Sequence, residues 1–551
     1  MRQTEDGGRA TGSRSRAKIF KRAGRPPVPE GTPRELRDAI VWEVREPIQV
    51  EDSDLGEKLD LPEAGPMPPN RLVVVGDSIS HGFKSFAIAD THLSWPAIVA
   101  KYAGFPFRFP RYPGPPECPG LPLNLEAVAR HLQNAAPGSL LDVGRDVLLL
   151  QRLRSLMDKV EDYWERGEGA DLLEETGRGR VNHNLAIWGW DVRDALSRTV
   201  GMLRGRIHSA RGRRDAIFRQ IPSDAGERSG LITLAGGDDR DTPISLARRL
   251  GEEGGWDQPG IETLIVALGG NNVLGTVLNF TVKWTEEASY AYRDLEAKSV
   301  FNAWLPTHFA SEFDELAAEV ETVNARHVIF FTVPHVTIAP MVRGIGNKMP
   351  GDRYFARYTR PWIGDEVFSA NRHPCLTGEQ LRVLDFAVDQ YNDHIVERVR
   401  RARRAGRDWR VLDIAGILDR LAYRRFLIDQ EAQPEWWTPY TQPDAYLELS
   451  PQPDTRFFRS DRFGRFAGGL FALDGVHPST IGYGIVAREV MRVMSDCGVA
   501  LNQPEPDFKE LIAADRLIAE PPTRISSMLE FVELANRTVD LYQAMTGRPP
   551  I

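Results

Sequence analysis

Short, nearly unbroken apolar runs recur along the chain and predict a β-sheet that is covered on both faces. A sheet with one face in water would instead alternate apolar and polar residues along each strand. Runs of this kind are typical of the parallel sheets of α/β proteins. The five predicted strands are RLVVVG (71–76), NLAIWG (184–189), TLIVALG (263–269), HVIFFTV (327–333) and WRVLDI (409–414).

Amphipathic segments between these runs predict helices. In the segment 311–325, Phe313 and Val320 belong to an apolar stripe at helical spacing. The segment 378–406 has the same periodicity and ends at Gly406, a residue that commonly follows the last turn of a helix. Strands that alternate with helices predict an α/β fold with right-handed crossover connections.

Several segments of the chain fall outside this alternation. We predict one domain over residues 70–497, a disordered tail over residues 1–35, and a C-terminal helical extension over residues 503–551. The helical extension follows a proline-rich stretch, and we expect it to pack back on the domain. Large insertions interrupt the domain at about 110–180, 201–260, 336–375 and 418–470.

Charge and composition bear on the class of function. The 551-residue chain is 42% hydrophobic and carries a formal net charge of −8, which disfavours nucleic acid as a partner. The basic run over residues 398–407 lies at the end of a predicted helix, where cations are solvated and complement the helix dipole.

Cysteine content and hydropathy bear on the compartment. The three cysteines are widely separated and form no C-x-x-C pair, so neither a disulfide framework nor a zinc site is predicted. No apolar run reaches the roughly 20 residues of a membrane-spanning helix, and no signal peptide is recognised near the first residue. We expect a cytoplasmic protein, with export by another route left open.

The first predicted strand runs directly into Gly76-Asp77-Ser78, which is either an ordinary turn or a strand that presents a nucleophile. Near the other end of the domain, Asp474 and His477 lie three residues apart on a predicted loop. A nucleophilic serine needs a histidine base and an acid that orients it, and these two residues can supply both. Each pattern is weak alone.

Two further strand ends carry groups that can stabilise an oxyanion. Gly189 follows the second predicted strand and offers a backbone N–H, while Asn271 follows the third and offers a side-chain amide. Because ligands of open α/β sheets bind beyond the carboxyl ends of the strands, we expect these groups to converge at one edge.

In this order, Gly76-Asp77-Ser78, Gly189, Gly269-x-Asn271 and Asp474-x-x-His477 resemble the four sequence blocks of the SGNH (GDSL-type) hydrolases. The resemblance implies a flavodoxin-like three-layer α/β/α sandwich with a mostly parallel sheet. It also implies a serine esterase or lipase that uses no metal and no cofactor. Ser78 would be the nucleophile and His477 the base that Asp474 orients. Ser78, Gly189 and Asn271 would form the oxyanion hole.

The chain departs from the family pattern at two points. Asn272 stands where the family commonly has an aspartate, and we expect the oxyanion hole to tolerate this change. The chain is also much longer than the family core, so its insertions could form a lid or a partner surface. An α/β-hydrolase is disfavoured, because its G-x-S-x-G elbow would require glycine at the position of Ser80.

Four other features have both a structural and a functional interpretation. Trp188 and Trp190 could line an acyl pocket or pack in the core, and His335 could contact substrate or be a structural loop histidine. His373 and Cys375 could be half of a metal site, but no second cluster with ligand spacing accompanies them.

The sequence therefore predicts a serine ester hydrolase that acts on a small-molecule ester. An acyltransferase would use the same acyl-enzyme, and a catalytically silent scaffold would keep only the fold. Lipid, carbohydrate ester, thioester and acetyl ester substrates all stay open, as does the oligomeric state.

Overall fold

The computed structural model describes residues 24–42, 52–60, 65–135, 143–207, 222, 224–255, 258–348, 352–427, 429 and 433–523. Most of the predicted disordered tail lies outside the described residues, as do residues 524–551 of the predicted C-terminal extension. The described part of that extension contains two short helices, over residues 508–514 and 516–519.

The strands and helices alternate along much of the chain, as the hydropathy pattern predicts. The strands are β1 (Asn70–Gly76), β2 (Ala87–Ile88), β3 (Leu121–Pro122), β4 (Ile261–Ala267), β5 (Ala325–Phe331), β6 (Arg343–Lys348), β7 (Phe355–Thr359), β8 (Leu376–Thr377), β9 (Trp409–Leu412), β10 (Arg459–Asp461) and β11 (Gly464–Ala467).

The helices are α1 (Arg34–Ala39), α2 (Ser78–His81), α3 (Trp95–Ala103), α4 (Leu125–Ala135), α5 (Val143–Arg166), α6 (Glu168–Glu175), α7 (Val192–Ser197), α8 (Val200–Arg206), α9 (Ala225–Thr233), α10 (Pro243–Glu252), α11 (Gly275–Asn279), α12 (Pro306–Glu321), α13 (Gly378–Arg404), α14 (Ile414–Leu421), α15 (Asp444–Leu447), α16 (Thr480–Asp496), α17 (Phe508–Ala514) and α18 (Arg516–Ala519).

A four-stranded, wholly parallel sheet in the order β1-β4-β5-β9 forms the centre of the molecule. The second predicted strand lies beside β1 as extended chain. Its backbone exchanges three hydrogen bonds with β1, from Val74 to His183 at 2.8 Å, from Leu185 to Val74 at 2.8 Å and from Ile187 to Gly76 at 3.0 Å. The predicted α/β class is therefore confirmed.

Helices cover both faces of this sheet. Val73 and Val75 of β1 belong to an apolar cluster that includes α10, α12 and α13. Leu72 and Val74 point the other way, into a second cluster with α3 and α16. Since successive residues of a strand face opposite sides, burial on both sides explains why the strands read as unbroken apolar runs.

The two helices that the sequence predicts between strands are present. α12 begins at Pro306, five residues before the predicted start. Proline suits the first turn of a helix, because the N–H groups of that turn have no partner within the helix and proline has none. α13 ends at Arg404, and Gly406 beyond it has φ of +83°, the left-handed conformation that glycine favours.

The segments predicted as insertions contain regular structure. The 201–260 segment supplies α10, whose apolar face packs in the main core. The 336–375 segment contains β6 and β7, which form a three-stranded antiparallel sheet with β8, and the 418–470 segment contains the β10-β11 hairpin. In the described part of the chain, no helix has the length and apolar character to cross a membrane.

The junction between β1 and α2 requires glycine for reasons of space. The φ angle of Gly76 lies outside the left-handed region, so backbone conformation does not require glycine here. A Cβ atom at this position would lie 2.6 Å from Ser80 Oγ and 3.0 Å from the carbonyl oxygen of Ala267. The first turn of α2 therefore packs directly against the end of the sheet.

We predict that Gly76→Ala lowers the free energy of unfolding by about 1–3 kcal/mol, because the added methyl group overpacks a buried junction. Gly205→Ala is the matched control, since a Cβ atom there meets nothing within 4 Å. In a helix, this control is expected to be neutral or to stabilise by up to about 1 kcal/mol. Urea denaturation measures both, and equal effects of the two substitutions would contradict the packing account.

Candidate active site

Ser78 lies at the point where β1 becomes α2. Asp77 precedes the helix, and its carboxylate accepts a hydrogen bond from the Ile79 N–H at 3.1 Å, which fixes the first turn. The helix ends after one turn at Gly82, which has φ of +91°. This strand-turn-helix unit holds a buried serine hydroxyl at the carboxyl end of the sheet.

The structure brings Ser78, His477 and Asp474 together. His477 Nε2 lies 2.9 Å from Ser78 Oγ, and His477 Nδ1 lies 3.1 Å from Asp474 Oδ2. The Nδ1–H group donates to the carboxylate, which leaves Nε2 to accept the serine proton. The arrangement is that of a nucleophile, a base and an orienting acid.

The Asp474 carboxylate is held by backbone donors. Oδ1 accepts from the N–H groups of Val476 and His477, both at 2.9 Å, and Oδ2 also accepts from the Phe86 N–H at 3.0 Å. Burial opposes the charge, but His477 and the backbone donors keep the pKa of Asp474 below its ordinary value. Phe86 reaches the carboxylate from a left-handed conformation with φ of +61°, which non-glycine residues rarely adopt.

The loop that carries the aspartate and the histidine is internally bonded. The Ala472 N–H donates to the His477 carbonyl at 2.9 Å, and the Gly475 N–H donates to the Ala472 carbonyl at 3.0 Å. The ring of Phe83 packs against the imidazole with centroids 4.7 Å apart. These contacts fix the ring orientation of His477.

Three groups at the carboxyl edge of the sheet can donate to an oxyanion. Ser78 offers the N–H of the first residue of α2, and Gly189 offers an N–H for which no described residue is an acceptor. Asn271 Nδ2 donates to the Trp190 carbonyl at 2.8 Å, and the second hydrogen of this amide remains. That bond joins Asn271 to the loop of Gly189, where φ is +79°.

Asn272 connects this loop to its surroundings. Its Oδ1 accepts from the Val192 N–H at 3.5 Å, and its carbonyl accepts from the Trp304 N–H at 3.1 Å. The side chain is fully buried. At the position where the sequence departs from the family pattern, Asn272 thus connects its own loop to the backbone of Val192 and of Trp304.

His81 was not singled out by the sequence analysis, yet it positions the loop of Gly189. Its Nδ1 accepts from the Trp188 N–H at 3.1 Å, and its Nε2 lies 2.8 Å from the Tyr112 hydroxyl. Burial lowers the pKa of His81 to about 3, so the ring is neutral and Nδ1 can accept. The sequence offers one signal for His81, which is its position on the same helical turn as Ser78.

An apolar cavity of about 120 Å³ adjoins Ser78, Asn271 and His477. Aliphatic side chains of α14 and α16 form much of its wall, so the space suits a hydrocarbon group. Its apolar lining consists mainly of Leu274, Val336, Ile414, Ile417, Leu418, Leu421, Leu470, Phe471, Val476, Ile485 and Val486.

Trp188 and Trp190 are not among the residues that line this cavity. Trp188 packs against Phe83 with centroids 5.2 Å apart in a separate apolar cluster. Trp190 lies in the main core, with the guanidinium of Arg198 5.9 Å from its ring. The structure thus places both side chains as packing groups that support the backbone on either side of Gly189.

His335 contributes to the cavity wall, but both of its ring nitrogens face carboxylates. Nδ1 lies 3.1 Å from Asp419 and Nε2 lies 2.9 Å from Asp389. Burial opposes a charged ring, yet Asp419, Asp385 and Asp389 raise the pKa of His335 to about 10. The imidazole is therefore a structural cation rather than a free polar contact for a ligand.

Among the described residues, one group of side chains has the spacing of metal ligands, namely His327, Asp408 and Cys497. Asp408 already pairs with Arg403 at 2.7 Å and with Arg410 at 3.2 Å. Burial raises the pKa of the Cys497 thiol to about 12, which disfavours the thiolate that a metal requires. We interpret this group as a structural ion-pair network.

Asp77 is a second buried carboxyl group at the site. Burial, opposed by the Ile79 N–H and by His477, raises its pKa from an ordinary 3.8 to about 6. A raised carboxyl pKa means that the fold favours the neutral acid. The associated stability is present below about pH 4 and is lost as the pH rises through about 6.

We therefore predict that Asp77→Asn, which keeps a capping oxygen but cannot ionise, becomes more stable relative to the parent protein between pH 4 and pH 7. The gain should approach about 3 kcal/mol, from a shift of roughly two pKa units. Urea denaturation across this range measures the gain, with Asp444→Asn at an exposed position as control. If the difference in the free energy of unfolding between Asp77→Asn and the parent protein does not change with pH, the account is contradicted.

Comparison of the chain with models of known protein families found no match, and a search of curated proteins found no similar protein.

Proposed function

We propose that the protein is a serine ester hydrolase of the SGNH type that acts through an acyl-enzyme on Ser78. The observation that carries this proposal is the hydrogen-bonded chain from Asp474 through His477 to Ser78 Oγ, which adjoins an apolar cavity. Structural histidines bond to carboxylates in many proteins, but a serine hydroxyl that contacts such a histidine and lines an apolar cavity is the arrangement that acyl transfer requires.

In the acylation step, His477 Nε2 takes the proton of Ser78 Oγ while this oxygen attacks the ester carbonyl carbon. The carbonyl π electrons move to its oxygen and form the tetrahedral oxyanion. When the oxyanion collapses, the bond to the alkoxy oxygen breaks, and the imidazolium gives its proton to the leaving alcohol. Asp474 remains ionised and stabilises the imidazolium.

Deacylation repeats these steps with water. His477 takes a proton from water, the hydroxide oxygen bonds to the acyl carbon, and the Ser78 ester bond breaks as the proton returns to Oγ. The proposed oxyanion hole consists of the Ser78 N–H, the Gly189 N–H and the Asn271 amide. Such donors stabilise charge most where burial excludes water.

The order of strands also supports the SGNH assignment. In space, the extended segment 183–187 precedes β1, β4, β5 and β9. Numbered along the chain, this order is 2-1-3-4-5, the doubly wound order of flavodoxin-like folds. In that topology, ligands bind where the order reverses, beside the first strand, and Ser78 directly follows β1.

The cavity favours an ester with an apolar acyl group. Its lining is mostly aliphatic, and Ser78, Asn271 and His477 are among its polar residues. A hydrocarbon acyl chain would lose water contact in this space, while the ester carbonyl would lie beside the proposed donors.

We predict that Ser78→Ala lowers kcat/KM for p-nitrophenyl butyrate at least about a thousandfold, because no other group forms the acyl-enzyme. Ser80→Ala is the matched control, since Ser80 is buried on the same turn and no described residue bonds its hydroxyl. This control should retain activity within about threefold. Equal activity of Ser78→Ala and the parent protein would refute the proposal.

We also predict that kcat/KM rises about fourfold per added methylene from acetate to longer p-nitrophenyl esters, until the cavity is filled, as burial of about 0.8 kcal/mol per methylene implies. Val486→Phe narrows the cavity from a half-buried position. It should remove the gain for longer chains while the acetate ester, as internal control, stays near the parent rate. A flat chain-length profile in the parent protein would contradict the acyl role of the cavity.

A further inference from the structure

A second, smaller cavity of about 20 Å³ adjoins the apolar one, and we call it the arginine pocket. Thr455 lines both spaces. The segments 335–339 and 421–425 contribute residues to both and thus form the wall between them. The arginine pocket is lined by Thr337, Ile338, Arg353, Phe355, Tyr358, Ala422, Tyr423, Arg424, Arg425 and Thr455, and none of these residues is acidic.

Two of its three arginines are already engaged. Arg425 donates to Asp385 at 2.6 Å and lies 3.5 Å from Asp419. Arg424 donates to backbone carbonyls of the segment 338–342, so its charge is hydrogen-bonded but has no carboxylate partner among the described residues. Backbone carbonyls satisfy donors without neutralising a cation.

The third arginine is not satisfied. Arg353 is 8% exposed, and its Nε and Nη1 atoms have no hydrogen-bond partner among the described residues. Its Nη2 atom lies 3.8 Å from Asp385, beyond hydrogen-bond distance. Buried donors without a partner are costly, and a guanidinium in this state is therefore a candidate ligand site.

The charges around the pocket do not balance. Three neighbouring cations pair with carboxylates of their own, in the pairs Arg343–Asp365, Lys348–Asp429 and Arg382–Asp352. Among the described residues, the remaining network has four cations and three carboxylates, which leaves one positive charge. The cations are Arg353, Arg424, Arg425 and His335, and the carboxylates are Asp385, Asp389 and Asp419.

We infer that the arginine pocket binds a carboxylate through Arg353. A carboxylate is planar, carries one negative charge and presents two acceptor oxygens, which matches the excess charge and the unbonded guanidinium nitrogens. A phosphate dianion would overcompensate one positive charge. The Tyr358 hydroxyl, which accepts from the Phe355 N–H, keeps its own hydrogen to donate.

The carboxylate has two sources that share this chemistry. It is either a free small acid or the far end of an acyl chain that occupies the adjoining apolar cavity. The second source rests on the proposed esterase function, and the first does not. The experiment therefore begins with binding and adds catalysis as a separate arm.

The binding arm uses sodium acetate as the probe and sodium chloride at equal ionic strength as the reference. Acetate should raise the thermal unfolding midpoint saturably, and saturation-transfer NMR should detect bound acetate that formate displaces. Arg353→Gln should weaken acetate binding at least about tenfold, because it removes the charge and the donor fork.

The double substitution Arg382→Gln with Asp352→Asn is the matched control, because it removes a buried guanidinium together with its carboxylate partner, leaves the net charge unchanged and alters no residue that lines the pocket. It should leave the acetate affinity within about twofold. If Arg353→Gln does not fold, the parent protein alone still tests the inference. The inference is overturned if acetate gives the parent protein no saturable signal above the chloride reference. Equal weakening of acetate binding in Arg353→Gln and in the control variant also overturns it.

The catalytic arm compares a p-nitrophenyl ester whose acyl chain ends in a carboxylate with its methyl-capped analogue. If the pocket serves substrate, the acid-ended ester has the higher kcat/KM, and acetate inhibits this ester alone. If it serves a free acid, acetate changes turnover of both esters alike. The binding arm is repeated with Ser78→Ala, so failure of the esterase proposal leaves the test of the pocket intact.

Discussion

The candidate site depends on the ionised carboxylate of Asp474 in the interior of the protein. Removing a carboxylate from water costs several kcal/mol unless hydrogen bonds replace its hydration. Here the two oxygens accept three backbone N–H groups in addition to the imidazole of His477. The backbone of two segments nearly 400 residues apart in the sequence is thereby fixed around one charge. The position of this carboxylate sets the tautomer and the orientation of His477.

The second constraint is the convergence of strand ends at one edge of the sheet. β1 delivers Ser78, β4 delivers Asn271, and the extended chain beside β1 delivers Gly189. These loops are joined by bonds from Asn271 to the Trp190 carbonyl and from the Trp188 N–H to His81. The donors are therefore held in place before any ligand binds, which is the condition for electrostatic stabilisation of a transition state.

The sequence predicted the sheet well because burial on both faces leaves an unmistakable pattern of apolar runs. It also named Ser78, Asp474, His477 and Asn271, since short motifs at strand ends carry a mechanism that can be argued residue by residue. It could not find His81, whose role depends on a contact with the Trp188 N–H more than 100 residues further along the chain. The arginine pocket was equally hidden, because Arg353 and Arg425 are brought together only by tertiary packing.

The central claim is that Ser78 is an activated nucleophile. Its most direct test is treatment of the folded protein with a fluorophosphonate probe, followed by intact-mass and peptide mass spectrometry. Our account predicts one adduct per chain, on the peptide that contains Ser78, and loss of labelling after acid denaturation. A folded protein that gains no adduct, or gains it on a different serine, would contradict the account.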